Sequence, residues 1–303
     1  MNAPNPFDSP ACTLLDHTAD AIVTIAPERR NDVQRLFGAV RFVVTERGGT
    51  AFSASAVASE VQVSLRGLEF LWVLSYTSWV MHRHYAARKQ SRGVLRFSDH
   101  ADTAALPTLL GWAHENQLAN RAYTAWPDKT PRPSGPLTVT SSQPSDERVA
   151  SELALCAVAW ILHHELAHIV AGDGGAVAPD VQILREKQAD QVATCWILDD
   201  APPGPATVKR GLGIAMATVA LAGWELLEPP MPGVPRDHPH PADRLWGVLS
   251  HPALKGDSVV HLVAALTLKL ELDHAGTVVV RDDFASADDA LSEYCVALKK
   301  ALP

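Results

Sequence analysis

Two histidines four residues apart, with a glutamate directly after the first, stand out in this 303-residue chain: His164-Glu165-Leu166-Ala167-His168. The surrounding stretch from Leu153 to Val170 is almost wholly apolar, and Gly172-Asp173-Gly174-Gly175 is a strong helix stop, so the segment reads as a buried helix. Positions i and i+4 share a helix face, which lets both imidazoles reach one ion. Glu165 is offset around the same turn, where a carboxylate addresses water at that ion without taking a ligand position. Zinc there lowers the pKa of water toward ~7 and polarises a peptide carbonyl, while Glu165 removes the proton and later delivers it to the leaving amine. Unpaired polar groups are costly inside an apolar helix, so the two histidines require partners.

The third ligand discriminates between classes of site. A metzincin needs a glycine three residues after the second histidine and a histidine three further on; those positions hold Ala171 and Gly174. A glutamate on a following helix is the alternative, and Glu186-Lys187-Gln188-Ala189-Asp190 supplies one. Glu186 completes a His2Glu set with the fourth position left to water. Asp190, one turn later on the same face, is placed to accept a hydrogen bond from the far nitrogen of a ligand histidine. His163 is read as a neighbour of the ligand set or as solvent-facing.

HELAH followed by E-x-x-A-D resembles the gluzincin peptidases, whose third ligand is that glutamate. Downstream, His238-Pro239-His240-Pro241-Ala242-Asp243-Arg244 resembles the His-Pro…Arg segment of the M48-type gluzincins. That resemblance implies that one of the two histidines, or Arg244, faces the cleft and contacts substrate or the oxyanion; spacing does not choose between His238 and His240. In length and layout the whole chain is similar to the phage-exclusion Lit-type peptidases, peptidase family U49. This implies one zinc per chain, site-specific cleavage of a host protein with a translation elongation factor as target, and activation by a phage peptide.

Several elements must position these residues. Pro27 to Ala39 reads as a short helix, and Arg41–Thr45 with Thr50–Ser53, flanking Gly48-Gly49, as a small hairpin. Glu60 to Leu65 alternates like a strand, and from Leu68 an apolar, aromatic-rich helix runs to a basic end at Arg88 and Lys89. Trp72, Tyr76 and Trp79 recur at helical spacing and read as core. Helices are expected over Ala104–Ala122, Asp146–Ala171, Pro179–Leu198, Ala206–Leu227, Pro241–Leu249, Ser258–Asp273 and Ala287–Leu302. The stretch Pro127–Pro144 carries five of the 22 prolines and is the best loop or linker.

Composition excludes other classes. A net charge of −8 argues against a broad nucleic-acid surface. Cys12, Cys156, Cys195 and Cys295 form no CxxC pair, so neither a thiolate zinc site nor a disulfide framework is expected; Cys195 reads as a buried free thiol, and a reduced cytoplasm fits. The Gly211–Trp224 stretch falls short of the ~20 residues that span a bilayer and reads as a buried helix, so no membrane association is expected.

The expected fold is α+β and predominantly helical, a zincin-like metallopeptidase core with a small N-terminal strand region. Residues 1–126 form the mixed region, 127–145 the proline-rich loop and 146–303 the helical zinc-binding part, packed as one unit. The expected activity is a zinc-dependent endopeptidase. Its rivals are a non-catalytic zincin-fold binding module, against which Glu165 argues, and a membrane-associated M48-type protease.

Overall fold

Val61 and Val63 alternate inward from the middle strand of a small mixed sheet, where both are fully or almost fully buried. The computed structural model describes residues 5–45, 52–88, 103–118, 121–134, 145–231, 233–256, 258–277 and 284–302. Within these, helices α1 (Cys12–Thr24) and α2 (Arg30–Phe37) precede strands β1 (Arg41–Thr45), β2 (Phe52–Ser55) and β3 (Glu60–Ser64). Helices α3 (Leu65–Arg88), α4 (Leu106–Gln117), α5 (Asp146–Ala171), α6 (Pro179–Leu198) and α7 (Pro205–Leu227) follow, then α8 (Pro241–Leu249), α9 (Ser258–His274) and α10 (Ala287–Ala301). The fold is α+β and predominantly helical, as the sequence predicts.

The sheet corrects one expectation. β1 and β2 do not form a hairpin: the order is β1-β3-β2, with β1 parallel and β2 antiparallel to β3. The hairpin is β2–β3, whose turn carries Ser59 at φ 47 without a glycine or asparagine to advertise it. The Gly48-Gly49 turn, Lys89 and residues 135–144 of the proline-rich stretch lie outside the described residues. β2 is left at a sheet edge among the described strands. Helix α1 has no counterpart in the sequence reading, although its buried Leu14, Thr18, Ala21 and Ile22 fall on one helical face.

Helix α5 is the axis of the molecule, packed by α1, α3, α6, α7 and β2. Such a helix must be apolar around most of its circumference, which is why its sequence shows no clean stripe. Two indole N–H groups fasten α3 to it: Trp72 donates to Ser151 Oγ at 3.0 Å and Trp79 to Asp146 Oδ1 at 3.0 Å. On another face His163 is buried rather than solvent-facing or beside the ligand set. Its Nε2 lies 3.2 Å from the Ile22 carbonyl of α1, and burial lowers its pKa to about 4, so the ring is neutral. One hydrophobic cluster runs from Ala11 to Leu302 and includes residues of both the strand region and the helical part.

Length alone does not exclude membrane spans, contrary to the sequence reading: α5 and α7 are both long and apolar enough to cross a bilayer. Their most apolar windows are 67% and 78% buried inside the fold, and this packing accounts for the apolarity. The contact between the two is close. A Cβ added at Gly213 of α7 would lie 2.4 Å from Cys156 Cβ and 2.9 Å from its carbonyl carbon on α5. Alanine in mid-helix gains about 1 kcal/mol over glycine, whereas forcing a methyl against backbone costs about 1–3 kcal/mol. Gly213→Ala is therefore expected to lower stability by up to about 2 kcal/mol in urea unfolding. A variant about 1 kcal/mol more stable than the parent, the full gain of alanine over glycine, would show that α5 and α7 are not in backbone contact there.

Candidate active site

His164 and His168 project from the last turns of α5, and the helix ends immediately beyond them at Gly172, in the left-handed conformation at φ 70. That glycine turns the chain so that the Asp173 N–H bonds back to the His168 carbonyl at 3.0 Å. The same turn brings Asp173 Oδ2 to 3.0 Å from His168 Nδ1. Asp173 in turn holds Arg185 of α6 at 3.0 Å. After the glycine-rich turn α6 opens on Pro179 and returns along α5, with Trp160 Nε1 donating to Thr194 Oγ1 at 3.0 Å. This pairing of helices carries Glu186 and Asp190 to the two histidines.

The donor atoms meet at short, nearly equal spacings. His164 Nε2 and His168 Nε2 are 3.2 Å apart, and Glu186 offers Oε2 at 3.3 Å to the first and Oε1 at 3.3 Å to the second. Tetrahedral zinc with bonds of about 2.0–2.2 Å sets its ligands roughly 3.3–3.6 Å apart, close to these contacts, which the two oxygens of Glu186 make one to each histidine. Proton placement points the same way. Each Nδ1 faces a carboxylate: Asp190 Oδ1 lies 2.9 Å from His164 Nδ1, tilted off the hydrogen-bond line, and Asp173 Oδ2 3.0 Å from His168 Nδ1. A carboxylate there requires N–H on Nδ1, which leaves both Nε2 atoms presenting lone pairs to one point. Glu186 Oε2 is buried without a hydrogen-bond donor, while Gln182 serves Oε1 at 3.1 Å. Three acceptors without a donor between them are what a bound cation satisfies.

The electrostatics of the cluster point the same way. Burial opposes charge on His164, but Asp190 and Glu186 outweigh it and push its pKa up to about 9. His168 is likewise raised, with burial overcome chiefly by Glu186. Burial would raise Glu186 too, yet the two imidazoles hold it below the usual carboxylate range.

The remaining residues singled out in the sequence divide clearly. Glu165 is half-buried on the cavity wall, and burial raises its pKa despite the neighbouring histidines. Arg244 borders the cavity, but its hydrogen bonds go to Asp190. Its guanidinium is buried and clamps Asp190 with two bonds, Nε to Oδ2 at 2.8 Å and an Nη to Oδ1 at 2.6 Å. Asp190 thus supports His164 and is itself supported by Arg244. His238 lines the cavity with its side chain 46% exposed and Nε2 3.7 Å from Glu186 Oε2. His240 spends both ring nitrogens elsewhere: Nδ1 caps α8 at Ala242 N–H, 3.1 Å, and Nε2 donates to the Leu302 carbonyl at 2.9 Å. The structure therefore places His238, not His240, beside the triangle.

A cavity of about 800 Å³ opens over the triangle. Its walls include Phe52, Ser53 and Ala54 of edge strand β2, Trp160, the end of α7 around Trp224, and the proline-rich segment leading to His238. Arg236 ties that segment down, reaching Glu225 at 2.5 Å and the Leu302 carbonyl at 3.3 Å. Asp173, Gln182 and the β2 residues went unread in the sequence. Only Asp173 had a signal, an acid placed directly after the glycine that ends the ligand helix.

Comparison with known proteins identifies the chain as a peptidase. The chain is 26% identical over 298 residues to the cell death peptidase of Escherichia coli (strain K12), an alignment covering 94% of this chain and 96% of that protein. No solved structure matches it. The profile of the Peptidase U49 family matches residues 61–264, which include every residue of the triangle and its supports. The chain belongs to the peptidase U49 family.

Proposed function

We propose that this peptidase is a zinc-dependent endopeptidase holding one ion on His164, His168 and Glu186. The observation that carries the reading is that the two imidazole Nε2 atoms lie 3.2 Å apart and each meets a Glu186 oxygen at 3.3 Å, while each Nδ1 faces a carboxylate. When bound, zinc supplies Lewis acidity to water and to the scissile carbonyl. The chain's own residues do the rest. Glu165 takes the proton from the attacking water and returns it to the leaving amine, and its raised pKa suits both directions of transfer. Asp190 and Asp173 fix the two rings, and Arg244 keeps Asp190 charged and in place. His238, half-exposed above Glu186, is positioned to donate to the carbonyl oxygen as negative charge develops there. The edge of β2 offers unpaired backbone along which an extended peptide can lie.

The relative's name, cell death peptidase, supports a role in killing or halting the host cell, and the Lit-type resemblance extends the proposal further. On that reading the enzyme acts in the cytoplasm, cleaves a translation elongation factor and is switched on by a phage peptide. Proteome-wide mapping of new N-termini after expression of the wild-type chain and Glu165→Gln tests it: one or a few Glu165-dependent cuts, an elongation factor among them, are expected. Cuts that persist in Glu165→Gln would remove the catalytic claim. Against the purified substrate, Glu165→Gln is expected to retain zinc and lose about 10²–10⁴-fold in kcat.

Elemental analysis of the purified chain is expected to show one equivalent of zinc that is lost in each of His164→Ala, His168→Ala and Glu186→Ala. Full retention in Glu186→Ala would reassign the third ligand. Asp173→Ala should keep the fold while weakening zinc by about 10–100-fold in chelator competition, because His168 loses the partner that sets its tautomer.

A further inference from the structure

Beyond the triangle, one other cluster brings metal-type donors together among the described residues: Cys195, Asp199 and His251, whose donor atoms all lie within 4.8 Å of one another. Cys195 and Asp199 are one turn apart at the end of α6, and His251 sits between α8 and the short 3-10 turn Pro252–Leu254. Cys195 is half-buried, not the buried thiol its sequence context suggests. Its Sγ lies 3.9 Å from His251 Nε2, and Asp199 Oδ1 lies 3.1 Å from the same nitrogen. These atoms border a second cavity of about 640 Å³, which shares only Arg244 with the first and so is a separate compartment.

A cysteine beside a histidine and an aspartate also invites comparison with a nucleophile and its base. The geometry excludes it. A general base needs the carboxylate on the nitrogen far from the thiol, but here both address Nε2. Nδ1 instead accepts from the Ala253 N–H at 3.3 Å, which leaves the ring proton on Nε2, shared with Asp199, until a cation displaces it. Thiol, carboxylate and imidazole nitrogen turned to one point form a ligand set. Zinc bonded to sulfur at about 2.3 Å and to nitrogen at about 2.0 Å separates the two by roughly 3.5–3.6 Å, close to the spacing seen. The long Ala253 contact is the one that yields, since Nδ1 carries the proton when Nε2 binds a cation. The mixed thiolate, imidazole and carboxylate set favours borderline ions such as zinc over magnesium or calcium, which take oxygen ligands. All three residues line the second cavity, which has room for water beside them.

We propose that Cys195, Asp199 and His251 form a second divalent-cation site, of the class that takes zinc, behind the Asp190–Arg244 pair. It is independent of the zinc proposed for catalysis. Its occupation would join the end of α6 to the α8 turn, the two elements that bear Asp190 and Arg244.

Cobalt titration of the metal-free full chain tests the site, because the triangle contains no sulfur. The expected result is a thiolate-to-cobalt charge-transfer band that is absent in Cys195→Ser, needs at least about tenfold more cobalt in His251→Ala, and is unchanged in His168→Ala. Loss of the triangle's own cobalt signal with this band intact would sink the catalytic metal and leave the second site standing. No thiolate band at saturating cobalt, or an undiminished band in Cys195→Ser, would overturn the proposal. Alkylation of Cys195 in the wild-type chain, followed by peptide mass, needs no variant: zinc should slow labelling at least about tenfold, and an unchanged rate overturns the site equally.

Discussion

The orientation of two imidazole rings governs the architecture around the site. A histidine ring with a free choice of tautomer and rotamer offers an uncertain donor; one held by a carboxylate at Nδ1 offers a fixed lone pair at Nε2. Asp173 and Asp190 impose that choice from opposite directions, one from the turn beyond α5 and one from α6. Everything else follows from keeping two acids, two imidazoles and Glu186 close together with little water. Arg244 answers part of that charge from α8, and Arg185 another part from α6.

These supports differ in consequence. The Arg244–Asp190 pair is buried on both sides, and removing one partner of such a pair costs about 3–5 kcal/mol, since the other charge is stranded. Asp173 and Arg185 are closer to solvent, where an ion pair contributes about 0–1 kcal/mol. The Asp190 side therefore belongs to the stability of the fold as well as to the site, while the Asp173 side tunes the site with little effect on folding. The apolar axis helix tolerates its polar end because each polar atom has a fixed partner or faces the shared acceptor point.

Helical spacing made His164, Glu165 and His168 legible, and the next helix at a short remove made Glu186 and Asp190 so. Local periodicity predicts which residues share a face, and all five lie on two consecutive helices. It does not predict what arrives from far away. The sequence places Arg244 near the cleft, which it borders, but no local rule says that its hydrogen-bond partner is Asp190. His163 was misplaced for the same reason: the Ile22 carbonyl that buries it comes from α1, a helix not recognised at all. The sheet order failed on turn chemistry. A glycine pair marked a hairpin between β1 and β2, whereas the true β2–β3 turn relies on Ser59 in an uncommon conformation. The choice between His238 and His240 also needed three dimensions, since the Leu302 carbonyl that occupies His240 lies at the other end of the helical region.

The two halves of the cleft have unequal folding histories. Every donor of the triangle, with both carboxylates that orient the rings, lies on the continuous α5–turn–α6 stretch, so closing it costs little chain entropy. The wall formed by β2 comes from more than a hundred positions earlier and must wait for contacts of long sequence separation. A molecule in which the sheet has loosened would still keep its cluster of imidazoles and carboxylates together and lack the strand that walls the cleft. Assembly of the polar cluster and completion of the cleft are then separable properties of one chain, governed by different parts of its topology.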